Sequence, residues 1–211
     1  MGTFEIGAKP DLSQGILLLE DCWNEFGLYV GLNARLESDY GYGLCTPHVC
    51  QLACEKCKTT EEALNLIAEI PVPDPKVYIV ADKSGHFAVV EKTANGITKI
   101  IENKKSLIST NHYLHQDLMG LNEQIFAKIP FHSTFARYHY LESKLLNHFD
   151  EMNLEKAKNI MSVPPVLQNW RETSQGDIVT IWTLCINLKD GEYDLIFAPL
   201  NPDLSNNLNS K

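Results

Sequence analysis

Short apolar runs and polar turns alternate through the first hundred positions, and apolar residues at helical spacing interrupt them in two places. Gly15-Ile-Leu-Leu-Leu-Glu20 and Gly27-Leu-Tyr-Val-Gly-Leu-Asn33 flank the stretch Cys22-Trp-Asn-Glu-Phe26, which predicts a hairpin with its turn over Cys22–Phe26. Lys76–Asp82 and His86–Glu91 flank Asp82-Lys-Ser-Gly85, whose Asp and Gly suit a tight turn, and Asn95-Gly96 opens a further strand over Ile97–Ile101. Thr46-Pro47 reads as an N-cap with Pro at the first helical position, opening a helix to about Cys57. A second helix starts at Thr60 and keeps Leu64, Ile67 and Ala68 on one face, with Pro71 beyond its end. Later in the chain, Thr134–Phe149 carries Tyr138, Leu141, Leu145 and Leu146 on one stripe, and Leu154–Met161 makes a shorter helix before Pro164-Pro165. Ile178–Asn187 is apolar at nearly every position, which predicts one strand covered on both faces, followed by Tyr193–Phe197 across Lys189-Asp-Gly191.

Strands, two helices, strands, two helices and strands again predict an α+β layer structure of antiparallel sheets. The 211 residues show no seam, so one domain over 1–211 is expected, with 1–14 and 202–211 as poorly ordered ends. The formal net charge of −9, with no basic run to offset it, repels phosphate backbones and argues against a nucleic-acid partner. The apolar runs are too short to span a bilayer, and residues 1–20 lack a basic region followed by an apolar stretch, so no membrane partner and a cytoplasmic location are expected.

Four of the six cysteines lie between Cys45 and Cys57. Cys50, Cys54 and Cys57 have the C-x-x-x-C-x-x-C spacing at which thiolates can hold an iron–sulfur cluster or zinc. The competing reading places them at i, i+4 and i+7 of one helix, where they form a buried stripe with Val49 and Ala53. The second reading is the stronger, because Thr46-Pro47 puts the triplet inside a helix and Lys56 stands where such clusters usually have an aromatic residue. No metal or other cofactor is expected.

Several stretches in order resemble the penicillin acyltransferase and choloylglycine hydrolase branch of the N-terminal nucleophile hydrolases. Asn24-Glu-Phe-Gly-Leu-Tyr-Val-Gly-Leu-Asn33 resembles that family's "N-E-x-G-L-x-V-x-x-N" hairpin. Gly43-Leu-Cys-Thr-Pro-His48 with Lys58-Thr-Thr-Glu-Glu-Ala63 resembles its helix pair, and Tyr78–Gly85 with Val89-Val-Glu91 its "L-A-D-x-S-G … V-V-E" hairpin. Ser109-Thr-Asn-His112 is similar to its "x-T-N-H" segment, Arg137-Tyr-His-Tyr-Leu141 to its "R-x-x-x-L" helix, and Thr180–Thr183 to its late strand. The resemblance covers about residues 15–200.

It implies an αββα sandwich of two antiparallel sheets between helix layers, and a hydrolase or acyltransferase acting on linear amide C–N bonds of acylated amines or amino acids. It also implies a nucleophile, usually Cys, that is the first residue of the mature chain and uses its own α-amino group as base. By motif match Asn111 is the candidate oxyanion donor, and Asn33 a second contact to oxyanion or substrate; a plain turn or strand-end role competes for each. His112 neighbours Asn111 in sequence and receives no role, and nothing supports Thr3 as a nucleophile. Trp23, Phe26 and Trp170 are candidates to line an apolar acyl pocket, although aromatics of this kind are more often plain core.

In the family the nucleophilic Cys precedes the hairpin by several tens of residues. Here about twenty residues precede it, none of them Cys before Cys22, and Cys22 falls in the expected turn. Gln175 stands where the family tends to keep an Arg before the last long strand. Three readings stay open, in this order: the C-terminal part of an amide hydrolase with a missing N-terminal partner segment; a relative that binds acyl amides without cleaving them; and a metal or iron–sulfur protein using Cys50, Cys54 and Cys57. In the first, uncovered sheet edges call for a companion segment or a second copy of the chain.

Overall fold

The structure, a computed structural model, describes residues 20–35, 40–103, 105–123, 133–173, 176–180 and 182–197, with only the backbone described over 169–173 and 176–179. The expected strand residues Gly15–Leu19, the two chain ends, Thr3 and Gln175 lie outside these residues.

Five antiparallel strands form the main sheet in sequence order: β1 (Asp21–Trp23), β2 (Leu28–Ala34), β3 (Lys76–Asp82), β4 (Phe87–Lys92) and β5 (Thr98–Glu102). The connection from β2 to β3 carries α1 (Thr46–Lys56) and α2 (Thr60–Glu69). Because side chains alternate across a strand, the sheet sorts the sequence into two cores. Leu28 and Val30, with Tyr78, Val80, Ala88 and Val90, meet Val49, Cys50, Ala53 and Cys54 of α1 and Ala63, Leu64 and Ile67 of α2. On the opposite face Val77 and Val89 pack with Tyr113 and Leu118, flanked by Ile79, Ile101 and Leu107. Glycine turns at Gly85 (φ 87°) and Gly96 (φ 89°) close the β3–β4 and β4–β5 hairpins, as the Ser-Gly and Asn-Gly pairs predict.

The helices are capped by side chains from the sheet and the turns. Thr59 accepts from Glu62 N at α2's start, and buried Lys92 donates to Ile67 O (2.9 Å) and Ala68 O (3.0 Å) at its end. A cation there satisfies orphan carbonyls and complements the helix dipole, although burial lowers the Lys92 pKa. Asn24 does the same for α1. Its Nδ2 donates to Cys54 O (2.8 Å) and Cys57 O (2.9 Å), while its Oδ1 accepts from Phe26 N and Leu28 N at 3.1 Å. One buried amide thereby closes the β1–β2 turn and ends a helix.

The second half holds α3 (Thr134–His148), α4 (Leu154–Met161) and two antiparallel ribbons, β6 (Asn169–Thr173) with β7 (Gly176–Val179) and β8 (Trp182–Asn187) with β9 (Glu192–Phe197). α4 packs on β8 and β9. Asp21 joins this ribbon to β1. Its carboxylate accepts from the Trp182 indole (3.2 Å) and the Tyr29 hydroxyl, and Trp23 meets Tyr193 at 5.4 Å between ring centroids. Gly31 faces Asp21 across the ladder, and a Cβ there would stand 2.3 Å from the Tyr29 hydroxyl oxygen. Among the described residues no helix is long and apolar enough to cross a membrane.

The structure corrects several sequence expectations. Cys22 and Trp23 belong to β1, and the first turn is Asn24–Gly27, because the Asn24 amide closes it. Cys45 is the N-cap residue of α1 and makes no side-chain cap bond, while Thr46 is the first, buried helical residue. The run Ile178–Asn187 is divided between β7 and β8: Thr180 N still bonds Gln168 O (2.9 Å) on the β6 side, whereas Trp182 pairs with Phe197. Within β8 only Thr183 and Cys185 are buried, so that strand is not covered on both faces. Strand β6, polar and without alternation, had no pattern to announce it.

Replacing Asn24 by Ala leaves two carbonyls and two N–H groups without their partner. Urea unfolding of Asn24→Ala should show a loss of about 2–4 kcal/mol, at roughly 1 kcal/mol per hydrogen bond. A loss well below 1 kcal/mol would mean that water replaces this cap.

Candidate active site

The segment Ser109–Asn122 crosses the end of β2 with no regular partner strand, so side chains must satisfy much of its backbone until a 3₁₀ turn closes it over Met119–Asn122. Glu91, fully buried on β4, accepts from Leu114 N (2.5 Å) and His115 N (3.1 Å). Burial raises its pKa, and these two donors and the nearby Arg35 charge offset only part of that. Asn122 brackets Tyr113, accepting from its N (2.9 Å) and donating to its O (2.8 Å). Arg35, one residue beyond β2, donates from Nη1 to Asn122 Oδ1 and Asn111 O, both at 3.0 Å. Its guanidinium lies 3.7 Å above the Tyr113 ring centroid.

This framework sets Asn111 against the end of β2. Asn111 Nδ2 donates to Ala34 O (2.7 Å), its Oδ1 accepts from Arg137 Nη2 (2.7 Å), and its N donates to Thr134 Oγ1 (2.8 Å). The amide orientation follows from chemistry, since a guanidinium only donates and a carbonyl only accepts. Among the described residues, the second N–H of the Asn111 amide has no partner. Asn33, on the sheet face opposite α1 and α2, donates Nδ2 to Ser109 Oγ at 3.2 Å. The two asparagines singled out in the sequence are therefore neighbours, linked through Ala34 and Ser109.

Arg137 comes from the first turns of α3. Its Nε donates to Ser133 Oγ (3.1 Å), which also accepts from Gln168 Nε2 (2.6 Å). Burial holds its guanidinium below the ordinary pKa of arginine. His112 faces the other way: its Nδ1 lies 3.0 Å from the hydroxyls of both Thr110 and Thr134, and its ring stacks on Phe135 at 4.2 Å. That is a buried structural histidine.

One cleft adjoins this corner, and a second continues from it. Ser109, Ile79, Leu107, Leu141 and Leu145 help line one of about 310 Å³, between the sheet and α3 and α4. A second, of about 530 Å³, runs from Met152 and Met161 to Tyr29 and Leu184. Met152, Ala157 and Met161 border both.

The other sequence candidates lie elsewhere. Cys50, Cys54 and Cys57 sit in the core between α1, α2 and the sheet, with Cys57 at the helix's C-cap, and burial raises the Cys50 and Cys57 thiol pKa values. Cys22 joins the same core. Trp23 packs on Tyr193, and Phe26, 38% exposed, lies under Lys58 in the first turn, so neither lines the corner. The Trp170 side chain lies outside the described residues. Sequence reasoning gave no role to Arg35, Glu91 or Arg137. The available signals were Arg35's i+2 spacing from Asn33 and a carboxylate closing the apolar strand Phe87–Glu91.

The sequence model of the acyl-coenzyme A:6-aminopenicillanic acid acyl-transferase family matches residues 11–200. No curated protein matches the chain. Among solved structures the chain is similar to penicillin V acylase from Agrobacterium tumefaciens, with 20% identity and a TM-score of 0.59 over 85% of this chain. It spans 63% of that acylase, less than two thirds of its length. It is also similar to two variants of conjugated bile acid hydrolase from Clostridium perfringens, at 15% identity and TM-scores of 0.60 and 0.62 over 87% of this chain and 70% and 71% of theirs. At such identities the likeness is one of fold.

Glu91→Gln keeps the shape of the side chain but places an amide where two N–H groups need an acceptor. Hydrogen exchange at the Leu114 and His115 amides should accelerate by roughly 10- to 100-fold, equivalent to about 1–3 kcal/mol. Unchanged exchange at both would show that Glu91 does not hold this segment.

Proposed function

The chain belongs to the acyl-coenzyme A:6-aminopenicillanic acid acyl-transferase family, and from that membership we propose that it acts on linear amide C–N bonds of acylated amines or amino acids, as a hydrolase or acyltransferase. The observation that carries this reading is the neighbouring amide pair of Asn33 and Asn111, with Asn111 fixed between Ala34 O and Arg137. Each amide nitrogen carries two N–H groups and, among the described residues, donates one to the protein, which leaves one for an acyl oxygen. When a carbonyl carbon is attacked, its oxygen gains charge. Donors already held in place stabilise that charge by about 3–4 kcal/mol apiece in known cases. Arg137, bonded to Asn111 Oδ1, polarises that amide and makes its remaining N–H a stronger donor.

The same membership supports an αββα sandwich, with α1 and α2 over the main sheet and the β8–β9 ribbon and α4 as the opposing sheet and helix layers. The four cysteines of the helix-facing core are poorly placed to supply the attacking group. Cys22, Cys50, Cys54 and Cys57 lie across the sheet from Asn33, and a thiol whose pKa is raised by burial is a poor nucleophile. That observation also favours a second reading, in which the chain binds acyl amides without cleaving them.

An acyl p-nitroanilide offered to the full chain separates the two. The enzymatic reading expects release of p-nitroaniline, reduced about 100- to 1,000-fold in Asn111→Ala. The binding reading expects saturable affinity, weakened in the same variant, with no release. Neither turnover nor binding would remove both.

A further inference from the structure

Arg137 is a half-buried cation whose bonding partners, among the described residues, are neutral oxygens. Nη2 donates to Asn111 Oδ1 (2.7 Å) and Nε to Ser133 Oγ (3.1 Å), and no carboxylate among those residues pairs with it. Arg35, the other cation at this corner, differs, since Glu91 offers it a nearby negative charge. Withdrawing a charge from water is costly unless an opposite charge meets it, and in a chain of net charge −9 acidic side chains are plentiful. A half-buried cation left to neutral partners among the described residues, one helical turn from a cleft, marks a place for an anion supplied by a ligand.

The neighbouring surface says what that anion is attached to. Arg137, Leu141 and Leu145 fall at i, i+4 and i+8 of α3 and so share one face, spaced by about 5–6 Å from one turn to the next. Leu141 and Leu145 line the 310 Å³ cleft together with Ile79, Leu107 and Met161, and its Ser109 is the acceptor of the Asn33 amide. That volume lies at the low end of small-molecule sites. The cleft thus runs apolar along α3, and Arg137 stands on the same helix face one turn before Leu141, bonded to the Asn111 amide.

We propose that Arg137 and the remaining N–H of Asn111 bind the carboxylate of an apolar-tailed monocarboxylic acid, whose tail lies in the cleft along Leu141 and Leu145. The inference deepens the proposed function and shares its acyl-binding corner: water added across an acyl amide gives an amine and a carboxylic acid of this class. The binding itself requires no turnover.

Calorimetric titration of the full chain with octanoate, 1-octanol and acetate tests it. Octanoate should bind at least tenfold more tightly than the alcohol, which lacks the charge, and than acetate, which lacks the tail. Arg137→Gln should weaken octanoate at least tenfold, Arg137→Lys should recover part of the loss, and Lys58→Gln, changing a cation that lies over Phe26 and does not line the cleft, should have no effect. If Arg137→Gln fails to fold, Leu141→Trp, which fills the cleft, should abolish octanoate binding while leaving the unfolding midpoint in place. Equal binding of octanoate and 1-octanol, or an Arg137→Gln chain that folds and binds octanoate unchanged, would overturn the proposal. Octanoate binding without amide turnover would remove the enzymatic reading alone; amide turnover without octanoate binding would overturn this inference alone.

Discussion

An irregular segment laid across a sheet can stay dry only if every buried N–H and C=O finds a partner, and here that constraint falls on Ser109–Asn122. Four side chains and the closing turn after His115 meet it, Thr134 taking the amide of Asn111. Glu91 takes the amides of Leu114 and His115, Asn122 brackets Tyr113, and Arg35 joins Asn122 to the Asn111 carbonyl. Leaving any one of these buried groups unmet costs about 1–3 kcal/mol, so the segment has little freedom to settle elsewhere. Asn111 then arrives beside Ala34 as a consequence of bonds made several residues away.

The pleat of β2 makes the complementary division. Leu28 and Val30 face the helices, so Asn33, at odd spacing from both, faces the other core. A slip of one residue would exchange those faces and bury the amide among α1's cysteines. The pairing Asp21–Gly31, with Tyr29 and Trp182 both donating to Asp21, fixes that register from the far end of the strand. The same alternation keeps most of the six cysteines away from the amide pair. Four of them lie in the core that faces α1 and α2, while the amide pair and the clefts lie on the other side.

What was legible in the sequence follows from how local each signal is. Lys76–Asp82 and Leu154–Met161 are readable to the residue, because an apolar run bounded by the Asp82–Gly85 turn and a short stripe ending before Pro164-Pro165 need no tertiary context. Asn33 and Asn111 were legible by family resemblance, and the structure brings them together without testing their chemistry. The turn at Asn24 and the division of Ile178–Asn187 were not legible, since both depend on partners far away in sequence: the carbonyls of Cys54 and Cys57, and Gln168 on β6. The roles of Arg137 and Glu91 were hidden for the same reason, although both residues stand in the motifs that carry the resemblance. Each looks like an ordinary charged residue at the edge of an element until the segment it holds is folded against it.

The central claim is that the Asn33 and Asn111 amides each keep one N–H for an acyl oxygen. NMR of the side-chain amide protons tests it most directly, with octanamide as a simple acyl amide. For each asparagine, the proton already bonded to the protein should stay in place, while the second should shift downfield and saturate with the same dissociation constant at both residues. If neither second proton moves at ligand concentrations that perturb the cleft residues Leu141 and Leu145, the amide pair does not receive the acyl oxygen.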